Sequence, residues 1–128
     1  TKEYAKRIVR LVDSLPDSIS GRTLASQVMR SGTSVAANYR SLCRSKSLPD
    51  FINKTSIIEE EADETCFWLE LIVETGKLPV TKVAPLLKES NELVSIFVAS
   101  RRTARKRDNT RKSRWGKGPH PLTVETRK

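Results

Sequence analysis

The amino-acid sequence predicts an all-α protein: an antiparallel up-down-up-down four-helix bundle over residues 1–106, followed by a disordered basic tail over 107–128. Three observations predict it. Phe51, Thr55, Ile58, Ala62, Thr65, Leu69 and Ile72 recur in alternating steps of four and three, the seam of a packed bundle helix. Proline, glycine and serine punctuate the apolar patterns at short intervals, and short connections force consecutive helices antiparallel. No segment alternates with period two and no Asn-Gly hairpin signal occurs, so no strand is expected.

A first helix over 2–14 places Tyr4, Ile8, Leu11, Val12 and Leu15 on one face, and Pro16 ends it. A second helix over 20–46, with Ser20 as its N-cap, gathers Leu24, Val28, Val35, Tyr39 and Leu42 in one arc. Beside them run Ala25, Met29, Gly32, Ala36 and Cys43, a stripe of small residues that lets a neighbouring helix come close. Gly32 costs about 1 kcal/mol relative to alanine in a helix interior, and close packing is the reason expected for it. Asn38, near the packed face, is read as a register-fixing polar residue.

Ser47-Leu48-Pro49-Asp50 reads as a capping box with proline in the first turn. It opens a third helix that runs to residue 75, where Gly76 is free to take the left-handed conformation. A fourth helix over 81–106 turns Val83, Leu87, Val94 and Phe97 inward, with Pro85 in its first turn or just ahead of it. From Arg107 onward the periodicity vanishes, and the apolar content is too small to offset the entropy of ordering.

Hydrophobic residues make up 37% of the 128-residue chain, enough for a bundle of this size to bury its own core. No apolar run approaches the ~18 residues of a membrane span. Residues 1–12 are charged throughout and lack the apolar stretch of a secretory signal, so a cytoplasmic setting is expected. Cys43 and Cys66 are read as free thiols. Charge is the more telling quantity. Residues 1–54 carry 10 basic and 4 acidic residues (+6), and 55–100 carry 3 and 9 (−6). Residues 101–128 carry 11 and 2, which leaves the whole excess of +9 there. A neutral but polarised body with a cationic appendage points to an anionic partner, RNA or DNA before others.

Three further groupings refine this. Around the second helix Arg22 and Arg40 coincide in azimuth, with Arg44 about 40° and Arg30 about 80° away at 100° per residue. Such a stripe can follow a phosphate backbone; alternatively its arginines pair with the acidic third helix, the reading that the −6 half favours. Arg101, Arg102, Arg105, Lys106 and Arg107 extend the fourth helix, and in the tail Arg111, Lys112, Arg114 and Lys117 surround Trp115. Cations for phosphates and an indole for a base suit single-stranded nucleic acid. On the third helix Ile57, Phe67, Trp68 and Leu71 widen the apolar surface beyond one stripe, which suggests a subunit interface. The acidic run Glu59, Glu60, Glu61, Asp63 and Glu64 has no histidine near it and reads as a solvated or ion-paired face. No Ser/His/Asp set, Cys/His pair, phosphate-binding glycine loop or zinc spacing occurs; no catalytic residue, metal or cofactor is expected.

The run SGTSVAANYRSLCRSKSLPDFINK followed by EEADETCFWLELIVETGKL resembles the bacterial four-helix-bundle family of proteins encoded in intervening sequences of large-subunit ribosomal RNA genes. That family is related to the accessory protein of diversity-generating retroelements. The resemblance spans residues 8–105 and is most specific at Ala36-Ala37-Asn38-Tyr39-Arg40, Asp50-Phe51 and Trp68-Leu69-Glu70. It implies an up-down-up-down bundle assembled as a homopentamer. For the retroelement relatives it also implies a basic surface for nucleic acid and a reverse transcriptase as partner. Together the readings predict a non-enzymatic, homo-oligomeric nucleic-acid-binding accessory or scaffold protein. The alternative is an adaptor whose basic tail engages an acidic protein.

Overall fold

The computed structural model describes residues 1–116, and Lys117 to Lys128 lie outside it. Four helices follow in order: α1 (Lys2–Asp13), α2 (Ile19–Leu42), α3 (Leu48–Glu74) and α4 (Val80–Gly116). Each packs on its neighbours in sequence, and α1 also meets α4, which closes an antiparallel square. Among the described residues there is no strand and no helix long and apolar enough to cross a membrane.

The expected seam of α3 is the backbone of the core: Thr55, Ile58, Ala62, Thr65, Leu69 and Ile72 are all buried, with Phe51 packed beside them. Tyr4, Ile8 and Leu11 reach them from α1, Leu24, Val28, Val35 and Leu42 from α2, and Val83, Leu86 and Phe97 from α4. At Gly32 α2 packs tightly against Ile8 of α1. A Cβ built there would lie 2.8 Å from Ile8 Cγ1 and 2.9 Å from Cδ1 and Cγ2. Close packing is therefore its role.

A layer of hydroxyls crosses this apolar interior, one from each helix. Tyr4 Oη lies 2.6 Å from Ser90 Oγ, which donates to Leu86 O at 2.8 Å. Thr65 Oγ1 lies 2.9 Å from Ser31 Oγ and 2.8 Å from Glu61 O. Burial pushes the Tyr4 phenol up to about 12, partly offset by hydrogen bonds with Ser90 and Thr65. No buried side-chain N or O among the described residues lacks a partner. A satisfied network of this kind favours one register, because a slip would part Tyr4 and Ser31 from their partners, while Thr65 and Ser90 keep the carbonyls of their own helices. Asn38, expected to fix register, does not. Its amide donates to Ser34 O and Ser34 Oγ at 2.9 and 3.0 Å, one turn back in its own helix.

The helix ends show which local signals decide. Ser18, not Ser20, caps α2: its extended backbone lets Oγ accept from Gly21 N at 3.0 Å. At the other end α2 stops at Leu42, short of residue 46, because Ser45 N and Oγ both bond Leu42 O, at 3.0 and 2.6 Å. Ser14 closes α1 on Leu11 O in the same way. Cys43 is therefore an exposed C-cap, and Cys66 is the buried free thiol. Half of the expected capping box forms: Asp50 N donates to Ser47 Oγ at 3.1 Å, while the Asp50 carboxylate accepts from Lys46 N at 3.2 Å in place of Ser47 N. Gly76, at φ +71°, completes a Schellman turn: its N–H bonds Val73 O and the Lys77 N–H bonds Ile72 O, both at 3.0 Å.

Two expectations for α4 are corrected. Pro85 lies in the second turn, on the exposed side, where the lost N–H bond disturbs no packing. The helix also does not end at Lys106 but continues to Gly116. Arginine and lysine are good helix formers, and the preceding turns have already met the cost of nucleation. Asp108 then accepts from Arg111 at 2.9 Å and Lys112 at 3.1 Å, three and four residues on. The cations of the last turn also suit the helix dipole. Lys112, then Arg111, hold the Asp108 carboxyl below its usual range.

A pH dependence follows. A carboxylate whose pKa is depressed by folding stabilises the folded form above its unfolded pKa, and this is lost as pH falls through the folded value. Acidification from pH 7 to below the usual carboxylate range near 4 should therefore fray residues 107–116. Asp108→Asn should fray them at pH 7 and remove the acid response. Carbon chemical shifts of the segment report both changes; a segment equally helical at pH 7 and pH 2 would contradict them.

Candidate nucleic-acid interface

The arginine stripe of α2 does not act as one surface. Arg22 and Arg40 share an azimuth but are 18 residues apart, about 27 Å along a helix. Arg22 bonds Asp17 at 2.7 Å in the α1–α2 turn. Arg30 is held by Glu64 and by Glu61, the latter at 3.4 Å. Arg101 likewise bonds Glu59 at 2.9 Å. The acidic run of α3 thus covers two of the expected binding arginines, one on each flanking helix. Among the described residues no three His, Cys, Asp or Glu side chains are grouped to hold a metal.

What remains is concentrated at one end of the bundle. Arg40, Arg44, Arg102, Arg105, Lys106, Arg107 and Arg114 have no carboxylate partner among the described residues, and all are exposed. Lys46, absent from the expected set, joins them: Lys46 and Arg107 line one cleft, together with Ser45, Ser47, Leu48 and Phe51. The antiparallel turn from α2 to α3 therefore sits beside the basic stretch of α4. This adjacency was implicit in the order of the helices, which brings residues near 45 and near 105 to the same end. Arg107 lines the cleft beside Leu48 at the start of α3, and α4 continues past it through the buried Asp108 to Gly116, with Arg111, Lys112 and Arg114 exposed. Arg111 and Lys112 share the one carboxylate of Asp108, so the end of α4 stays cationic. Trp115 falls in the last turn of α4, but its side chain and Lys117 lie outside the described residues.

The second expected surface is on α3. Phe67 is 53% exposed and meets Trp68 edge-on, with ring centroids 4.9 Å apart. Trp68 and Leu71 are half-buried and pack against the core, and Trp68 Nε1 donates to Glu64 at 3.0 Å. Ile57 is half-buried as well. Only Phe67 of the four stands clear of the bundle. Cys66, beneath it, has its thiol pushed up to about 11 by burial and by the nearby Asp63 and Glu70, which keeps it protonated and unreactive.

The model of the family described as "23S rRNA-intervening sequence protein" matches residues 1–99. The chain belongs to this family. Among solved structures, one described as a protein of unknown function from the S23 ribosomal protein family, from Bacteroides thetaiotaomicron, is 34% identical. It superposes with a TM-score of 0.72, over 77% of this chain and 92% of the other. No protein of curated function matches. The family match stops at residue 99, just before the cationic stretch of α4.

Proposed function

We propose that this protein is a non-enzymatic, homo-oligomeric nucleic-acid-binding accessory protein, and that it holds RNA or DNA at the basic pole formed by the α2–α3 turn and the end of α4. The observation that carries the reading is the partition of charge. The acidic side chains of α3 engage Arg30 and Arg101, while at the opposite end of α3 from Gly76 the cations Arg40, Arg44, Lys46, Arg102, Arg105, Lys106 and Arg107 keep no carboxylate among the described residues, where Lys54 pairs with Asp50 and Arg111 and Lys112 with Asp108. A family named for a 23S rRNA intervening sequence accords with RNA as the polyanion. Binding releases counterions, so affinity must fall steeply with salt. Fluorescence anisotropy of a labelled single-stranded RNA tests this: about six phosphate contacts give a slope of roughly −4 in log K against log[salt]. No binding at low salt, or a slope near zero, would refute the reading.

Self-association, expected as a five-membered ring, is proposed to run through the α3 face around Phe67. An exposed aromatic beside a half-buried tryptophan is a typical interface anchor. Phe67→Ser is a cleaner probe than Trp68→Ala, since Trp68 also packs on the core. Light scattering should show a multimer for the wild type and a smaller mass for Phe67→Ser; a monomeric wild type at micromolar concentration would overturn the assembly.

A further inference from the structure

We propose that the cleft between the α2–α3 turn and α4 is a nucleobase site, which takes one unpaired base of a single-stranded polynucleotide whose flanking phosphates lie on the cations around it. The proposal rests on the basic pole being a nucleic-acid surface, and adds what that surface discriminates. The cleft measures about 660 Å³, within the roughly 300–1,000 Å³ typical of small-ligand sites. It exists because α4 presents small side chains, Ala99, Ser100, Thr103 and Ala104, towards Leu48 and Phe51.

Its chemistry is divided in the way a nucleotide is divided. Leu48, Phe51 and Ala104 supply an apolar wall with one aromatic ring, while Lys46 and Arg107 stand at the same cleft. Base–aromatic contact of this kind tolerates any base. Two hydroxyls add complementary hydrogen-bonding capacity. Ser45 Oγ gives its proton to Leu42 O and is left an acceptor. Ser47 Oγ accepts from Asp50 N and keeps a proton to donate. Both are set by helix ends, so their orientation is fixed before any ligand arrives. Charge complementarity selects the occupant: an apolar ring system joined to anions suits this wall and rim. A base within a duplex would first have to be unstacked and unpaired, so the site favours single strands.

The test compares a single-stranded RNA oligonucleotide with an abasic oligonucleotide of the same length and backbone charge, by anisotropy at one salt concentration. The wild type should bind the base-bearing strand roughly fivefold to a hundredfold more tightly, the effect of one stacked base. Ala99→Phe fills the cleft from an exposed position of α4 and touches no charge. It should abolish that preference and leave the abasic affinity unchanged. Phe51→Leu, which removes the ring and keeps an apolar side chain, should reduce the preference. Equal binding of both strands by the wild type would overturn the cleft proposal and leave the charge-based reading standing. Failure to bind either strand would overturn both. A preference that survives in Ala99→Phe would assign the base contact elsewhere and overturn the proposal.

Discussion

Replacing Arg105, Lys106 and Arg107 together by glutamine should cut affinity for single-stranded RNA about a hundredfold at 0.1 M salt. The magnitude comes from counterion release. Three lost phosphate contacts lower the salt slope by about 2 for a single strand, and that difference accumulates over the tenfold salt range up to 1 M. All three side chains are exposed and have no carboxylate partner among the described residues, so the substitution removes charge without breaking an ion pair. Arg22→Gln is the matched control. It too is an exposed arginine on the expected stripe, but it is paired with Asp17 at the far end of α2, and its loss should leave affinity and slope nearly unchanged. Equal losses from both variants would mean that net charge alone governs binding and that the basic pole has no special standing.

The largest effect on stability is expected at the α1–α2 crossing. Ile8→Ala deletes part of a side chain with no exposed surface and should cost about 2–5 kcal/mol through lost burial and the cavity left behind. Gly32→Ala gains about 1 kcal/mol of helix propensity. It also drives a methyl group to within 2.8–2.9 Å of three carbons of Ile8, an overpacking that costs about 1–3 kcal/mol. Ile8 is enclosed and β-branched, so it has no free rotamer to move into, and the clash should win. The two changes should not add. With Ile8 truncated, the methyl group at position 32 enters the vacated space, and the double variant should be more stable than the sum of the singles by about 1 kcal/mol or more. Urea midpoints of the four proteins measure this; strict additivity would remove close approach as the reason for Gly32.

Much of this was legible in the sequence, for physical reasons that can be named. The four-three spacing from Phe51 to Ile72 specifies one buried face whatever its neighbours are, and all but Phe51 of those positions are buried. Ser47, Gly76 and Gly32 could be read because each meets a local demand, for a cap, a left-handed turn or a close approach. Features decided by competition were not legible. Ser45 ends α2 early because its hydroxyl outbids the next helical bond at Leu42. The extent of α4 was missed because burial capacity was weighed where local propensity and the Asp108 pairs decide. The hydroxyl layer was missed because Ser31, Thr65 and Ser90 are polar letters on apolar faces, and only their meeting in space makes them tolerable.

For the candidate site, the wheel placed Arg22, Arg30, Arg40 and Arg44 together, since azimuth is all a wheel records. Position along the axis separates them: Arg22 and Arg30 face carboxylates, while Arg40 and Arg44 approach the turn that adjoins Arg107. The tail and the stripe, read as two surfaces, become one pole with Lys46 between them.

Amide hydrogen exchange with and without single-stranded RNA tests the central claim most directly. Protection confined to residues 40–47 and 99–114, with 17–30 and 59–64 unchanged, is the predicted result. Protection centred on the Arg22–Arg30 stretch or on the acidic run of α3, with none around Lys46 and Arg107, would contradict it.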